Sequence, residues 1–403
     1  HPKPGVHLQP SRVVFVRRPL GSEGAAEPTS AEAPRYDVVA IEVAHVWYRP
    51  EDNDAWRLAK YVALQGANTC MNLIEHARVH FPTDAVTAIT MTVLHREHPL
   101  LRLLAPHTFL SMAVNHSVLE STGSLISRLP ITLLQRVYSP FAGKGLEIRK
   151  LLPVGWSGYD PETREGPVDP ARSYPPFRYP TEIPDFPPSE YGMFLARYYE
   201  AIFDFVKAYL EERLPPGAMG RSLDRLRETN DKRGALRDGT ADDDQVFVER
   251  WARFVHDMMP GFPEPPALFA GDTLARAIAY YIWVVSVVHT ADHWTLYRFG
   301  RRRTPYRLRE RLPLEGKALD LGNLTGRLDM LQAEMTFRMF YRPLQLRMLA
   351  SLDYGFEDEP LRVLNRALLE RLRAVDASFA DEPGPGRIRR FVPLERIATS
   401  IQY

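Results

Sequence analysis

Apolar positions along this chain recur mostly at spacings of three and four, the pattern of one helical face. The period-two alternation of a strand is confined to "YDVVAIEVAHVWY" (36–48), which predicts one or two strands. From Trp56 the pattern turns helical in "AWRLAKYVALQGANTCMNLIEHARVHF", and Pro82 behind it predicts the helix end. "LLRLLAPHTFLSMAVNHSVLESTGSLISRL" (100–129) predicts one or two more helices. Further helical patterns cover 191–214, 242–259 and 272–299, with two more at about 321–352 and at 359–378. The run "AIAYYIWVVSVV" (277–288) is apolar all round. It reads as a helix buried on every side, and it is too short to span a bilayer. The fold class expected is mainly α with few short strands.

Two stretches interrupt the pattern. Residues 1–35 hold Pro, Gly, Ser and Ala with little periodicity, and read as an extended N-terminal arm that gains order by packing on something else. Residues 153–188 contain ten of the 35 prolines, which rules out regular helix or a central strand there. Such a stretch wraps a surface. With no repeat of fixed period, the expected organisation is the arm, 1–35, and one large helical domain, 36–403.

Composition narrows the function classes. The 403 residues are 45% hydrophobic and 25% charged, enough for a large core. Lys plus Arg number 51 against 50 Asp plus Glu, a net charge of +1, so no electrostatic reason to expect nucleic acid exists. The local cluster "RFGRRRTPYRLRER" (298–311) reads first as solvated surface and second as a site of peripheral contact with anionic lipid. Cys70 is the single cysteine, so the chain has no internal disulfide.

The chemistry lies in two histidine pairs. "LIEHARVHF" places His76 and His80 four residues apart, and "VVHTADHWT" does the same with His289 and His293. Residues i and i+4 share one helix face, so each pair aims two imidazoles at one point. Imidazole suits Fe, Zn, Cu and Ni. One H-x-x-x-H alone is weak evidence, because satisfied core or surface histidines are its default meaning. Two pairs on separate apolar helices are stronger, and a buried imidazole must be hydrogen-bonded or bound to something. No glutamate follows the first histidine of either pair, so the zinc-protease pattern is not met. Glu75 and Asp292 are candidates to orient the ligands.

At these residues the chain resembles the lipoxygenases. "WRLAK" (56–60) is similar to the family's W-x-L-A-K, and "MNLIEH" (71–76) to its H-Q-L-x-x-H, with His76 at the first ligand. "HPLLRLLAPH" (98–107) resembles H-P-x-x-x-L-L-x-P-H almost residue for residue, followed by "VN" (114–115) where the family has I-N. "IWVVSVVHTADHW" (282–294) is similar to the helix that gives the third and fourth ligands, and "IATSIQY" (397–403) to the family's terminal I-P-N-S-I-x-I. Coverage runs from about residue 40 to 403. The resemblance implies a non-heme metal, Fe with Mn as the alternative, held by His76, His80, His289, His293 and the terminal carboxylate of Tyr403.

The departures concern the same site. The family's first two ligands are five residues apart on a helix with a π-type bulge, whereas His76 and His80 are four apart. Removing one residue from a π-bulge restores regular α-helix. Asn72 stands for the family's glutamine, and Leu296 for its hydrogen-bond partner, so a bridge from metal to substrate cavity is expected to be lost. Val118 aligns with the position that steers oxygen, and Thr122 with the leucine that clamps the reacting carbons. Leu103, Leu104, Val114, Val118 and Leu119 are candidates for the pocket wall, with plain core packing as the competing meaning of each. The family's N-terminal lipid-binding β-barrel has no counterpart in these residues, so a reduced catalytic core is expected.

Two functions follow from the resemblance, and one alternative to both. The first is a dioxygenase that abstracts hydrogen from a polyunsaturated fatty acid or related polyene and adds O2. The second keeps fold and metal but acts on a different unsaturated apolar small molecule, by oxidation, isomerisation or cyclisation. The third is a metal-free relative with a binding or structural role.

Overall fold

A computed structural model of the chain describes residues 5, 7–17, 36–71, 75–119, 189–214, 241–259, 261–297, 308–322, 324–326, 331, 334, 346–380 and 390–402. The fold is mainly helical. A small antiparallel sheet, β1 (Ser11–Arg17), β2 (Tyr36–Val43) and β3 (Val46–Tyr48), lies at the N-terminal end in the order β1-β2-β3. Within the expected arm, β1 therefore pairs along β2, with a register shift between Val14 and Phe15. Residues just before it are stitched to a distant loop. His7 pairs with Leu308, and the Gln9 side chain donates to the Leu312 carbonyl and accepts from its N–H.

The sheet buries Ile41, Val43 and Tyr48 against Trp56, Leu58, Ala59 and Val62 of α1 (Asp54–Cys70). Leu308, Leu312, Leu319 and Leu324 close this smaller core. α1 is followed by α2 (His76–Val93), with π-type turns at Met71 and Glu75 between them and helical backbone angles at both residues. Pro82 does not end this helix, contrary to the pattern reading. Proline withholds one N–H and crowds the preceding turn. The next two carbonyls along take side-chain donors: the Thr83 hydroxyl donates to the Val79 and His80 oxygens (3.0 and 2.7 Å), and Asn115 Nδ2 donates to the latter (3.0 Å).

The larger core gathers around α5 (Glu190–Arg213) and a long apolar helix, after α3 (Pro99–Leu104) and α4 (Ser111–Leu119). α6 (Ala241–Met258) packs on α2, and a short helix α7 (Pro265–Leu268) leads into the long one. That helix comprises α8 (Thr273–Trp283), a π-helical segment Val284–Val288, and α9 (His289–Thr295). The helix, Thr273–Thr295, has 23 residues and contains a window of mean hydropathy 1.3, long and apolar enough to cross a membrane. Inside the protein 83% of its apolar window is buried, as expected of a helix apolar all round. α10 (Glu359–Ser378) matches the predicted 359–378 and packs on α5. The helix expected over 321–352 is borne out only in part: Leu331 and Glu334 are helical, whereas 321, 322, 324 and 325 are turns or bends and Leu349–Ser351 is a single 3₁₀ turn. The proline-rich 153–188 lies outside the described residues.

α5 starts where its sequence says it should. The Ser189 hydroxyl accepts from the Gly192 N–H at 3.0 Å, capping an otherwise unserved amide. Ser189→Ala is expected to destabilise the protein by about 1 kcal/mol in urea unfolding, and Ser189→Gly by only a few tenths. Equal losses in both variants would show that the cap does not contribute.

Candidate metal centre

Among the described residues, a π-type turn stands directly before each histidine pair, at Glu75 and at Val284–Val288. On each ligand helix the wide turn ends where the pair begins, at His76 and at His289. A π turn holds more residues per turn than an α turn, so it resets the phase of the helix that follows. From His76 to His80 the helix is regular α, in keeping with the four-residue spacing.

The four rings converge. One ligand atom from each of His76, His80, His289 and His293 lies within 4.8 Å of the others. His76 Nε2 and His80 Nε2 are 2.8 Å apart, and His80 Nε2 and His289 Nε2 are 3.1 Å apart. Imidazole nitrogens bound at about 2.1 Å to one ion, at right angles, stand about 3 Å apart. The observed spacing fits that arrangement. All four side chains are buried, His289 completely. Burial pushes the His76 imidazole down to about 4, and burial together with neighbouring His76 pushes His80 down to about 3 against the opposing bond from Asn115. These two rings are therefore neutral at pH 7, with a lone pair available to a cation.

Asp292, buried between His289 and His293 in sequence, places Oδ2 3.5 Å from His76 Nδ1. Burial raises its carboxyl to about 7. Glu75, the other candidate orienting group, is exposed. Leu296 is buried one turn beyond the ligands and brings no polar atom there. Leu103 and Leu104 are wholly buried in the main core, and Val114 packs against it half-buried. Val118 and Leu119 lie on α4. Asn72, Thr122 and Tyr403 lie outside the described residues.

Contacts that spacing could not reveal bring the C-terminal segment beside the ligand helix. Ala398 N–H donates to Thr290 Oγ1 at 3.1 Å, one residue from His289. The Gln402 side chain accepts from Arg347 N–H and donates to the Arg347 carbonyl, and Ser400 donates to the Phe109 carbonyl. His107, the last residue of the 98–107 motif, is completely buried and meets Thr399. A carbonyl only accepts, so Nδ1 carries the proton to the Thr399 oxygen (2.7 Å), and Nε2 accepts from the Tyr354 hydroxyl (2.8 Å). The motif thus fastens the C-terminal segment to the body of the fold.

The burial of His107 carries a pH signature. Burial holds His107 at about 4, against the ordinary 6.5 of an unfolded chain. Below pH 6.5 the unfolded chain takes up a proton that the folded one refuses. Stability is therefore full above pH 6.5 and falls as pH drops toward 4, by up to about 3 kcal/mol from this group. His107→Gln is expected to flatten that part of the slope in denaturation at pH 7, 6, 5 and 4. Parallel slopes for wild type and variant would refute the assignment.

No protein-family model matches the sequence, and no curated protein does. Solved structures do. The coral 8R-lipoxygenase superposes with a TM-score of 0.67 at 16% identity, over 99% of this chain and 56% of its own. The manganese lipoxygenase of Gaeumannomyces graminis gives 0.63 at 13%, over 100% and 68%. The Fusarium graminearum lipoxygenase gives 0.61 at 15%, over 99% and 66%. The chain spans little more than half the length of the coral protein it matches. It has a lipoxygenase-like fold with a four-histidine cluster able to hold a metal.

Proposed function

We propose that this protein is a non-heme metal oxidoreductase of lipoxygenase type. Its reaction is oxidation of a polyunsaturated fatty acid or related polyene, by hydrogen abstraction and O2 addition. The observation that carries this reading is the convergence of His76, His80, His289 and His293 inside a lipoxygenase-like fold. Iron is the first candidate. Manganese is the second, since one structural neighbour is a manganese lipoxygenase.

The four imidazoles and the terminal carboxylate of Tyr403 would hold the metal. A bound Fe or Mn would supply one-electron redox chemistry. The chain's own part is positioning. Asp292 stands beside His76 Nδ1 and orients that ring from behind. Thr290 holds the backbone of Ala398 against the ligand helix, which brings the last residues toward the site. On this reading Leu103, Leu104, Val114, Val118, Leu119 and Thr122 would line the pocket that keeps the reacting carbons out of water.

Metal analysis of the intact chain, then oxygen uptake with linoleate and arachidonate, tests the reading. About one Fe or Mn per chain with oxygen consumption supports it. No metal after anaerobic loading sinks it and leaves a metal-free binding role. Buried Leu296 favours a second reading, in which the metal is kept and the substrate is another unsaturated apolar small molecule. Metal with no oxygen uptake on either fatty acid would favour that one.

A further inference from the structure

Asn115 is completely buried on α4 and reaches across to α2 with both ends of its amide. Its Oδ1 lies 2.7 Å from His80 Nδ1. Its Nδ2 donates to the His80 main-chain oxygen at 3.0 Å and to Asp84 Oδ1 at 2.7 Å. We propose that Asn115 is a positioning residue that fixes the tautomer of His80, with Asp84 holding the amide the right way round.

The orientation of an asparagine amide follows from its partners. A peptide carbonyl can only accept, so the end of Asn115 that faces the His80 oxygen is the NH2 group. Asp84 takes the second N–H of the same group. The opposite end is then the carbonyl oxygen, an acceptor, and it faces His80 Nδ1. That nitrogen must carry the hydrogen. A neutral imidazole has one donor and one acceptor nitrogen. Nε2 is left with the lone pair, and it is Nε2 that sits 2.8 and 3.1 Å from the Nε2 atoms of His76 and His289. The same amide is held by the backbone oxygen of His80 and by Asp84, so a swing of the ring breaks its bond to an acceptor that is itself fixed in place. Asp84 lies one helical turn after His80, where i and i+4 share a face, so its position is built into α2.

This inference rests on the proposed metal site for its purpose, but not for its test. Histidine-selective ¹⁵N NMR of the metal-free protein reads the tautomer directly, with His80→Gln to assign the signal. His80 is expected to carry its hydrogen on Nδ1. In Asn115→Leu that preference is expected to disappear. Titration with Co(II) as a spectroscopic stand-in is expected to show binding weakened about 10- to 100-fold. Asp84→Asn keeps an acceptor for the amide and should retain most of the affinity, whereas Asp84→Leu should lose it. Nδ1 unprotonated in the wild type, or unchanged Co(II) affinity in folded Asn115→Leu, would overturn the proposal. Should Asn115→Leu fail to fold, the wild-type tautomer and the two Asp84 variants decide the question. A wild type that binds no metal but shows the Nδ1 tautomer would refute the metal site and leave this assignment standing.

Discussion

Alanine in place of His289 is expected to take the metal content from about one ion per chain to near none. His289 is completely buried, and its Nε2 lies 3.1 Å from His80 Nε2, so it faces the centre of the cluster. Loss of one of four imidazoles removes a donor that water cannot replace with the same geometry inside a closed site. The effect should also show as lost stabilisation. A ligand that binds only the folded state adds about 2.7 kcal/mol at a hundred times its Kd. Iron or manganese should therefore raise the Tm of the wild type and leave that of His289→Ala where it was. Metal analysis and paired melting curves check this. A variant that keeps a full ion per chain would remove His289 from the ligand set.

The largest loss of stability is expected from Trp251→Ala, about 3–5 kcal/mol in denaturant unfolding. Trp251 is 2% exposed and sits where α6 meets α2. Its indole N–H donates to the hydroxyl of buried Thr90 at 2.9 Å, and its ring meets Phe262 edge-on. Alanine would open a large cavity beside the helix that carries His76 and His80. Trp251→Phe keeps most of the ring but removes the donor to Thr90, which should cost about 1–3 kcal/mol. A loss near 1 kcal/mol for alanine would mean that α6 collapses onto α2 without the ring, and would contradict the packing described here.

The histidine pairs were legible because their spacing is local. His76 with His80, and His289 with His293, each share a helix face whatever the rest of the chain does. The apolar run 277–288 announced a buried helix in the same way, and 359–378 appeared where its period put it. Local rules failed where a distant group changed the outcome. Pro82 should end a helix, yet α2 continues through it to Val93, with Thr83 and Asn115 donating to the neighbouring carbonyls of Val79 and His80. Residues 11–17 carry too short an alternation to stand as a strand alone, and β2 supplies the partner that makes them one.

Asn115, Asp84 and His107 show the same division at the site. As letters, Asn115 belonged to a two-residue resemblance, His107 closed a motif, and Asp84 carried no signal. Their roles come from contacts across 31 to 35 positions for Asn115 and across 292 for His107. Sequence by itself determined which faces of which helices carry imidazole, because helical phase is a property of neighbours in the chain. Only the tertiary structure decided that the two faces meet, which nitrogen of His80 points inward, and where the C-terminal segment is fastened. Those outcomes depend on hydrogen-bond partners brought together by packing, and spacing along the chain does not encode distance through the core.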